Sequence, residues 1–207
     1  MNSSCLFTIS APSGAGKTSL VKALLEKKSD VTVCVSHATR NKRPGEVDAK
    51  DYHFVSIDAF EEMVEADAFL EHAKVFDNYY GTSQQLVENL LQQGKHVILE
   101  IDWQGALQVK QKLPDTVAIY ILPPSRETLR QRLTDRATDD AAVIDRRMVD
   151  ADREMSHYSD AEYLVVNDDF DQALYDLECV IHSQSMKLER QILRYKQLIE
   201  SIPQETV

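Results

Sequence analysis

Residues 6 to 18 read Leu6-Phe-Thr-Ile-Ser-Ala-Pro-Ser-Gly-Ala-Gly-Lys-Thr18, and this stretch decides the fold. Leu6, Phe7 and Ile9 make the short apolar run of a buried strand. A loop of small residues, Ala11 to Gly16, follows, and Lys17-Thr18 close it. Leu20, Val21, Leu24 and Leu25 then recur on one helical face. Strand, small-residue loop, Lys-Ser/Thr and helix together are the physical recipe for a phosphate-binding P-loop. Gly14 and Gly16 let the backbone turn so that successive N–H groups face inward at a phosphate. The helix beginning near Lys17 adds the positive end of its dipole. Lys17 is expected to reach the β- and γ-phosphates, and the Thr18 hydroxyl to ligate Mg²⁺. The common pattern carries a glycine where this chain has Ala11, so the backbone at Ala11 need not hold a positive φ.

Working outward, 207 residues suit one domain with room for small insertions. A hydrophobic fraction of 43% supports a real core. No apolar run approaches the roughly 20 residues of a membrane span, and the N-terminus has no basic segment followed by a long apolar one. Cys5, Cys34 and Cys179 lack metal-site spacing and are expected to be small buried hydrophobes in a reducing, cytoplasmic compartment. The net charge of −11 argues against non-specific nucleic-acid binding. An acidic protein that handles polyphosphate must concentrate its positive charge locally, so its arginines carry information.

Val31 to Val35 reads as a strand running into a basic, Pro-Gly-punctuated loop with Arg40, Lys42 and Arg43. Such a cluster is either a solvated loop or a phosphate clamp, because a guanidinium fork matches phosphate oxygens. Tyr52 to Ser56 reads as a strand, and Asp58 is expected to cap a helix through Val64. Phe69 to Phe76 has strand composition, and Gln84 to Gln93 is a helix ended by Gly94. Residues 36 to 93 therefore depart from simple β-α alternation and read as an inserted subdomain.

His96 to Asp102 returns to the main sheet as an apolar strand ending in acids. That strand end is where ligands bind in an open α/β sheet, so Glu100 or Asp102 is a candidate to hold Mg²⁺ through water. An acid in that place can also be only a helix cap. A short helix from Gly105 to Lys112 and an apolar strand from Val117 to Leu122 come next. Ser125 is expected to cap a helix from Arg126 to Arg136, and a second helix runs from Ala141 to His157. Arg126, Arg130, Arg132, Arg136, Arg146, Arg147 and Arg153 lie on this pair. Either the pair is solvent-facing with i,i+4 partners such as Asp135 and Asp139, or it is a thinly packed lid closing over phosphates. Glu162 to Asn167 reads as the last strand, and Asp168-Asp169 cap a long helix with Leu174, Leu177, Ile181, Leu188 and Ile192 near helical spacing.

Several stretches resemble the bacterial-type guanylate kinase family over nearly the whole chain. They include Ser10-Ala-Pro-Ser-Gly-Ala-Gly-Lys17, Val35-Ser-His-Ala-Thr-Arg40, Arg43-Pro-Gly-Glu46, Phe69-Leu-Glu-His-Ala73 and Asn78-Tyr-Tyr-Gly-Thr82. Ile101-Asp-Trp-Gln-Gly105, Leu122-Pro-Pro-Ser125 and Val166-Asn-Asp-Asp169 follow in family order. The resemblance implies Mg·ATP + GMP ⇌ ADP + GDP, with dGMP a further acceptor. It implies an α/β P-loop core with a parallel sheet (1–35, 94–124, 158–207), an inserted GMP-binding subdomain (36–93) and a helical lid (125–157). Its partners are the small molecules GMP and ATP, with no nucleic acid and no membrane.

Carried over by position, the resemblance puts GMP-phosphate ligands at Arg40, Arg43, Tyr52 and Tyr80. Guanine contacts fall at Ser36, Glu71, Gly81, Thr82 and Asp102. The ATP side takes Ser13 to Thr18, Arg132 and Asn167, with Arg136 and Arg147 as lid arginines. Arg147 keeps the family spacing from Arg136, although Arg146 stands beside it. Glu100 stands where the family often has Asp, and Thr18 where it often has Ser. Guanine presents N1–H and N2–H side by side, and a carboxylate such as Glu71 accepts both, whereas adenine has a lone pair at N1. Lys17, Arg43, Arg136, Arg147 and Mg²⁺ would surround the transferring group with positive charge. The acceptor phosphate is already anionic, so His37, His53 and His72 are assigned no catalytic part.

Overall fold

The quoted run becomes the middle strand of a parallel sheet. In the computed structural model, which describes residues 4–75, 77–135 and 141–203, β1 covers Leu6–Ser10 and is buried throughout. The loop leads into α1 (Lys17–Lys27) and β2 (Val31–Val33). Then come β3 (His37–Ala38), β4 (His53–Phe54), α2 (Ile57–Glu65), β5 (Phe69–Val75), β6 (Asn78–Ser83) and α3 (Gln84–Gln92). The chain returns with β7 (His96–Glu100), α4 (Trp103–Lys112) and β8 (Val117–Leu122). It continues through α5 (Arg126–Asp135), α6 (Ala141–Met155), a 3-10 turn at Ser156–Asp160 and β9 (Tyr163–Val166). The last helices are α7 (Phe170–Ser185), α8 (Leu188–Arg194) and α9 (Lys196–Glu200).

Five strands form one sheet in the order β2-β7-β1-β8-β9, with all pairings parallel. A parallel sheet must be covered on both faces, and alternation along each strand supplies two cores. Phe7, Ile9, Ile98 and Ile119 pack with Leu20 and Leu24 of α1 and Leu174 and Leu177 of α7. Leu6, Val97 and Leu99 turn the other way, toward Val87 of α3 and Val109 of α4. Because β1 and β7 are neighbours, with Ile9 registered against Glu100, the small-residue loop and the acid-tipped strand emerge side by side. A second sheet, β4-β3-β6-β5, is drawn entirely from residues 37–83.

The helix pair carries a small core of its own: Leu129 and Leu133 of α5 against Ile144, Met148 and Ala151 of α6. Two of its arginines find acids across the pair, while Asp139 lies outside the described residues. Arg126 forks onto Asp152 at 2.8 Å, and Arg130 reaches Asp145.

Several expectations need correction. Ser56, not Asp58, caps α2, its hydroxyl accepting from the Ala59 N–H at 3.1 Å. The helix before β8 begins two residues early, at Trp103, because Asp102 caps it. The second helix of the pair stops at Met155 and gives way to the 3-10 turn. The long C-terminal helix breaks after Ser185, where Arg190 and Gln191 donate to the carbonyls of Gln184 and Ser185 and satisfy the freed helix end. Leu188 is consequently 74% exposed and Ile192 39%, not core. Cys5 and Cys34 are buried, as a small hydrophobe should be, but Cys179 lies exposed on α7.

Candidate active site

The loop after β1 wraps space for an anion. Gly14 and Gly16 hold φ of 95° and 96°, values that favour glycine. Neither has room for a side chain: a Cβ at Gly16 would lie 2.3 Å from Asn167 Nδ2, and one at Gly14 2.9 Å from Leu129. Ala11 has no positive φ, as its side chain requires. Ala15 is buried behind the loop, and its carbonyl accepts from Asn167 Nδ2 at 2.7 Å. Arg132 donates to the Asn167 carbonyl at 3.0 Å. Arg132 and Asn167 thus brace the loop from outside, and with Gly14, Gly16, Ser19 and Phe170 they line a cleft of about 430 Å³.

On the loop's inner side lies a second cavity of about 430 Å³. Ser13, Lys17 and Thr18 face Glu100 and Asp102 across it, and Ser36, Tyr52, Glu71 and Tyr80 close the far end. Burial lowers the Lys17 pKa, opposed by the carboxylates of Glu100, Asp102 and Glu154, and its Nζ donates to the Ile101 carbonyl at 3.4 Å. The Thr18 hydroxyl donates to Glu100 Oε2 at 3.4 Å. Asp102 spends one oxygen capping α4, accepting from the Gly105 N–H at 2.8 Å, and it also lines the cavity.

At the far end Glu71 is 4% exposed. Burial, more than the nearby Asp102, pushes its pKa up to about 7. The Thr82 hydroxyl donates to Glu71 Oε1 at 2.6 Å and lies 3.1 Å from the Ser36 hydroxyl. Thr82 has one proton, which Glu71 takes, so Ser36 must donate to Thr82 and the relay runs from Ser36 to Glu71. Gly81 is buried beneath Phe60 and Phe69, whose rings a Cβ would meet at about 3 Å. Tyr52 and Tyr80 meet edge-on at 5.8 Å.

The arginines are less gathered. Arg40 forks onto Glu46 at 2.6 and 2.7 Å and lies over the Tyr52 ring. Arg43 is exposed on the same loop, its backbone N–H donating to Glu46 Oε2 at 2.8 Å. Neither belongs to the cavity wall among the described residues. Arg147 is half-buried beside Ile144, Met148 and Ala151, whereas Arg146 is exposed. Arg136 lies outside the described residues.

One wall residue escaped the sequence reading. Glu154 of α6 accepts from the Ser13 N–H at 3.2 Å, and its own carbonyl accepts from the Tyr120 hydroxyl at 2.7 Å. Burial raises its pKa, and the Ser13 amide only partly offsets that. Arg147, Ala151 and Glu154 are spaced i, i+4 and i+7 on one helical face, the single trace of it in the sequence.

A phosphate-gripping loop beside an acid-tipped strand, with a second polar pocket across one cavity, defines a P-loop phosphotransferase with a separate acceptor site. The comparisons narrow the class. A family model described as guanylate kinase matches residues 4–184. The chain is 56% identical over 197 residues to the guanylate kinase of Saccharophagus degradans, covering 95% of this chain and 96% of that one. It is 51% identical over 199 residues to that of Escherichia coli K12, with 95% and 96% covered. The crystal structure of guanylate kinase from Anaplasma phagocytophilum superimposes with a TM-score of 0.79 at 30% identity, covering 98% of this chain and 97% of that one. The chain belongs to the guanylate kinase family and is a nucleoside monophosphate kinase.

Proposed function

We propose that the protein transfers the γ-phosphoryl group of ATP to GMP, and to dGMP, giving ADP and GDP. The observation that carries this is the buried Glu71 carboxylate, seated by Thr82 and Ser36, in the same cavity as Lys17. Ionised, Glu71 accepts N1–H and N2–H of guanine. An adenine in the same place would leave a buried acceptor unpaired, a loss far larger than a missing methylene. The acceptor's phosphate then points toward Lys17, with Tyr52 and Tyr80 beside it and Arg40 and Arg43 on the adjoining loop. Arg136 and Arg147 complete the positive charge from the lid, and the cleft at Arg132 and Asn167 suits the nucleoside of ATP.

The phosphate oxygen of GMP is the nucleophile and attacks the γ-phosphorus in line, so the protein's task is alignment, charge neutralisation and exclusion of water. Mg²⁺ fits the residues present. Thr18 and Glu100 offer hard oxygen donors 3.4 Å apart beside the loop, with Asp102 near them. Among the described residues there is no cluster of three or more His, Cys, Asp or Glu that could cage a metal, which suits an ion held mainly by phosphates and water. When bound it would neutralise phosphate charge. We place the protein in the cytoplasm, which suits its free cysteines. Among the described residues no helix is long and apolar enough to cross a membrane.

A coupled assay for ADP formation, with each nucleoside monophosphate offered in turn, tests the proposal. GMP is expected to lead and dGMP to follow. Equal turnover with AMP would overturn the reading of Glu71.

A further inference from the structure

The carboxylate that reads the base sits on the second sheet, yet much of what holds it comes from the core. Helix α4 packs along β5. Gln108 of α4 turns its side-chain amide onto the backbone of His72, the residue after Glu71. Its Oε1 accepts from the His72 N–H at 3.1 Å and its Nε2 donates to the His72 carbonyl at 3.0 Å. One side chain thereby does what a neighbouring strand would do. Lys112, one turn on, donates to the Phe69 carbonyl at 2.8 Å and to Asp67 at 3.0 Å. These contacts bracket an irregularity in β5, where the register against β6 shifts between Phe69 and Glu71. A bulge of this kind re-aims the side chain beside it and needs an outside partner for the disturbed strand.

Gly105 lies against the carboxylate itself. A Cβ there would come within 2.7 Å of Glu71 Oε2 and 3.2 Å of its Cδ. Gly105 is buried in the first turn of α4 and has no positive φ, so space, and not backbone conformation, is what requires glycine. Thr82 fixes one oxygen of Glu71 and the bare Cα of Gly105 gives the other its room.

We propose that α4 is the specificity frame of the acceptor site, with Gly105 and Gln108 as positioning residues that aim Glu71 at the base. The proposal rests on Glu71 reading guanine. Its consequence is that the base end of the site is braced by the parallel-sheet core, while the phosphate end is carried in part by the loop of residues 40–51.

Three variants, Glu71→Gln, Gly105→Ala and Gln108→Leu, are compared in the full-length protein. The readouts are GMP affinity by calorimetry without ATP, KM for each substrate and the GMP/AMP preference. Alanine is the better helix former and its φ is permitted here, so Gly105→Ala is expected to fold; Gln108→Leu supplies a second route to the same answer. Both are expected to weaken GMP binding about tenfold and narrow the GMP/AMP preference, with KM for ATP within twofold of the parent. If Glu71→Gln shifts the preference and the two α4 variants do not, the frame is refuted and the base reading stands. If Glu71→Gln leaves the preference untouched, the base reading falls and the frame with it.

Discussion

Lys17 and Glu71 face one cavity, and burial pushes both toward their neutral forms, Lys17 downward and Glu71 up to about 7. They are built in opposite ways. Lys17 stands next to last in eight contiguous residues, 11 to 18, whose turns are set by Gly14 and Gly16. Glu71 is seated by Ser36, Thr82, Gly105 and Gln108, drawn from the second sheet, the segment leading into it and a core helix. The donor site is thus a local object and the acceptor site an assembled one. Damage to the first should strike turnover with any acceptor. Damage to the second should strike the choice of acceptor, and can come from residues that never touch it.

The largest expected effect tests the first half of that contrast. Lys17→Ala should lower kcat by about 10³-fold, the scale of removing a charge that stabilises the transferring group. GMP affinity measured without ATP should stay within twofold. A variant with parental turnover would remove Lys17 from the chemistry, and a large loss of GMP affinity would mean that the two ends are not separable.

Glu71→Gln tests the second half. It is expected to cut kcat/KM for GMP by about 100-fold, because an amide accepts one of guanine's two donors and opposes the other. The pH profile gives an independent reading. Protonation below about pH 7 converts an acceptor oxygen into a donor, so kcat/KM for GMP should fall as pH drops through that value. In the variant that limb should vanish, leaving the phosphate's own titration near pH 6. Stability should move the opposite way. The folded-state pKa of Glu71 lies above the ordinary carboxylate value of 4.5, so the folded state binds the extra proton between those pH values and loses stability as pH rises through them. Removing the charge at pH 8 is expected to stabilise the ligand-free protein, by at most about 3 kcal/mol. Thermal melts of both proteins at pH 5 and pH 8 check this.

The phosphate end of the acceptor site should respond more weakly. Arg43→Ala is expected to raise KM for GMP about tenfold, since the loop is exposed and a charged hydrogen bond there is worth roughly 1.5 kcal/mol. Base preference should not change. A shift in the GMP/AMP ratio would show that the loop and the base wall act as one unit.

The same local-versus-assembled contrast governs what the sequence could disclose. The loop, its strand and Glu100 were legible because adjacent residues determine them: apolar alternation sets the strand, and glycine with Lys-Thr sets the turn. The cap at Ser125 was legible for the same reason, its hydroxyl accepting from Thr128 N–H three residues on. Glu71 as a candidate base reader came only through family resemblance, since a carboxylate in mid-strand is ordinarily a surface residue. Its support from Gly105 and Gln108 had no signature at all, because a side-chain amide bonding a distant backbone leaves no periodic mark. The break after Ser185 was hidden for a related reason: Leu188 and Ile192 keep helical spacing across it, and side chains six residues on, Arg190 and Gln191, satisfy the helix end.

Glu154 carries the contrast to its weakest test, because it brings a distant helix to the local loop. Its carboxylate occupies the Ser13 amide at 3.2 Å, an N–H that the loop otherwise offers to a phosphate oxygen. An incoming polyphosphate meets that negative charge, so either the carboxylate swings aside or it takes a proton, which its raised pKa eases. Asp102 and Asp150 oppose its ionisation, while Lys17 favours it. Glu154→Gln keeps the acceptor oxygen and deletes the charge. ATP should therefore bind more tightly, by a factor of roughly two to five, the scale of one partly solvated charge contact. Proton uptake on ATP binding, read by calorimetry in buffers of different ionisation enthalpy, should shrink in the variant. GMP affinity should be untouched, since Glu154 lies at the loop and not at the base wall. If ATP binds no better, the phosphate loop is as self-contained as its eight contiguous residues imply, and Glu154 contributes shape but no charge.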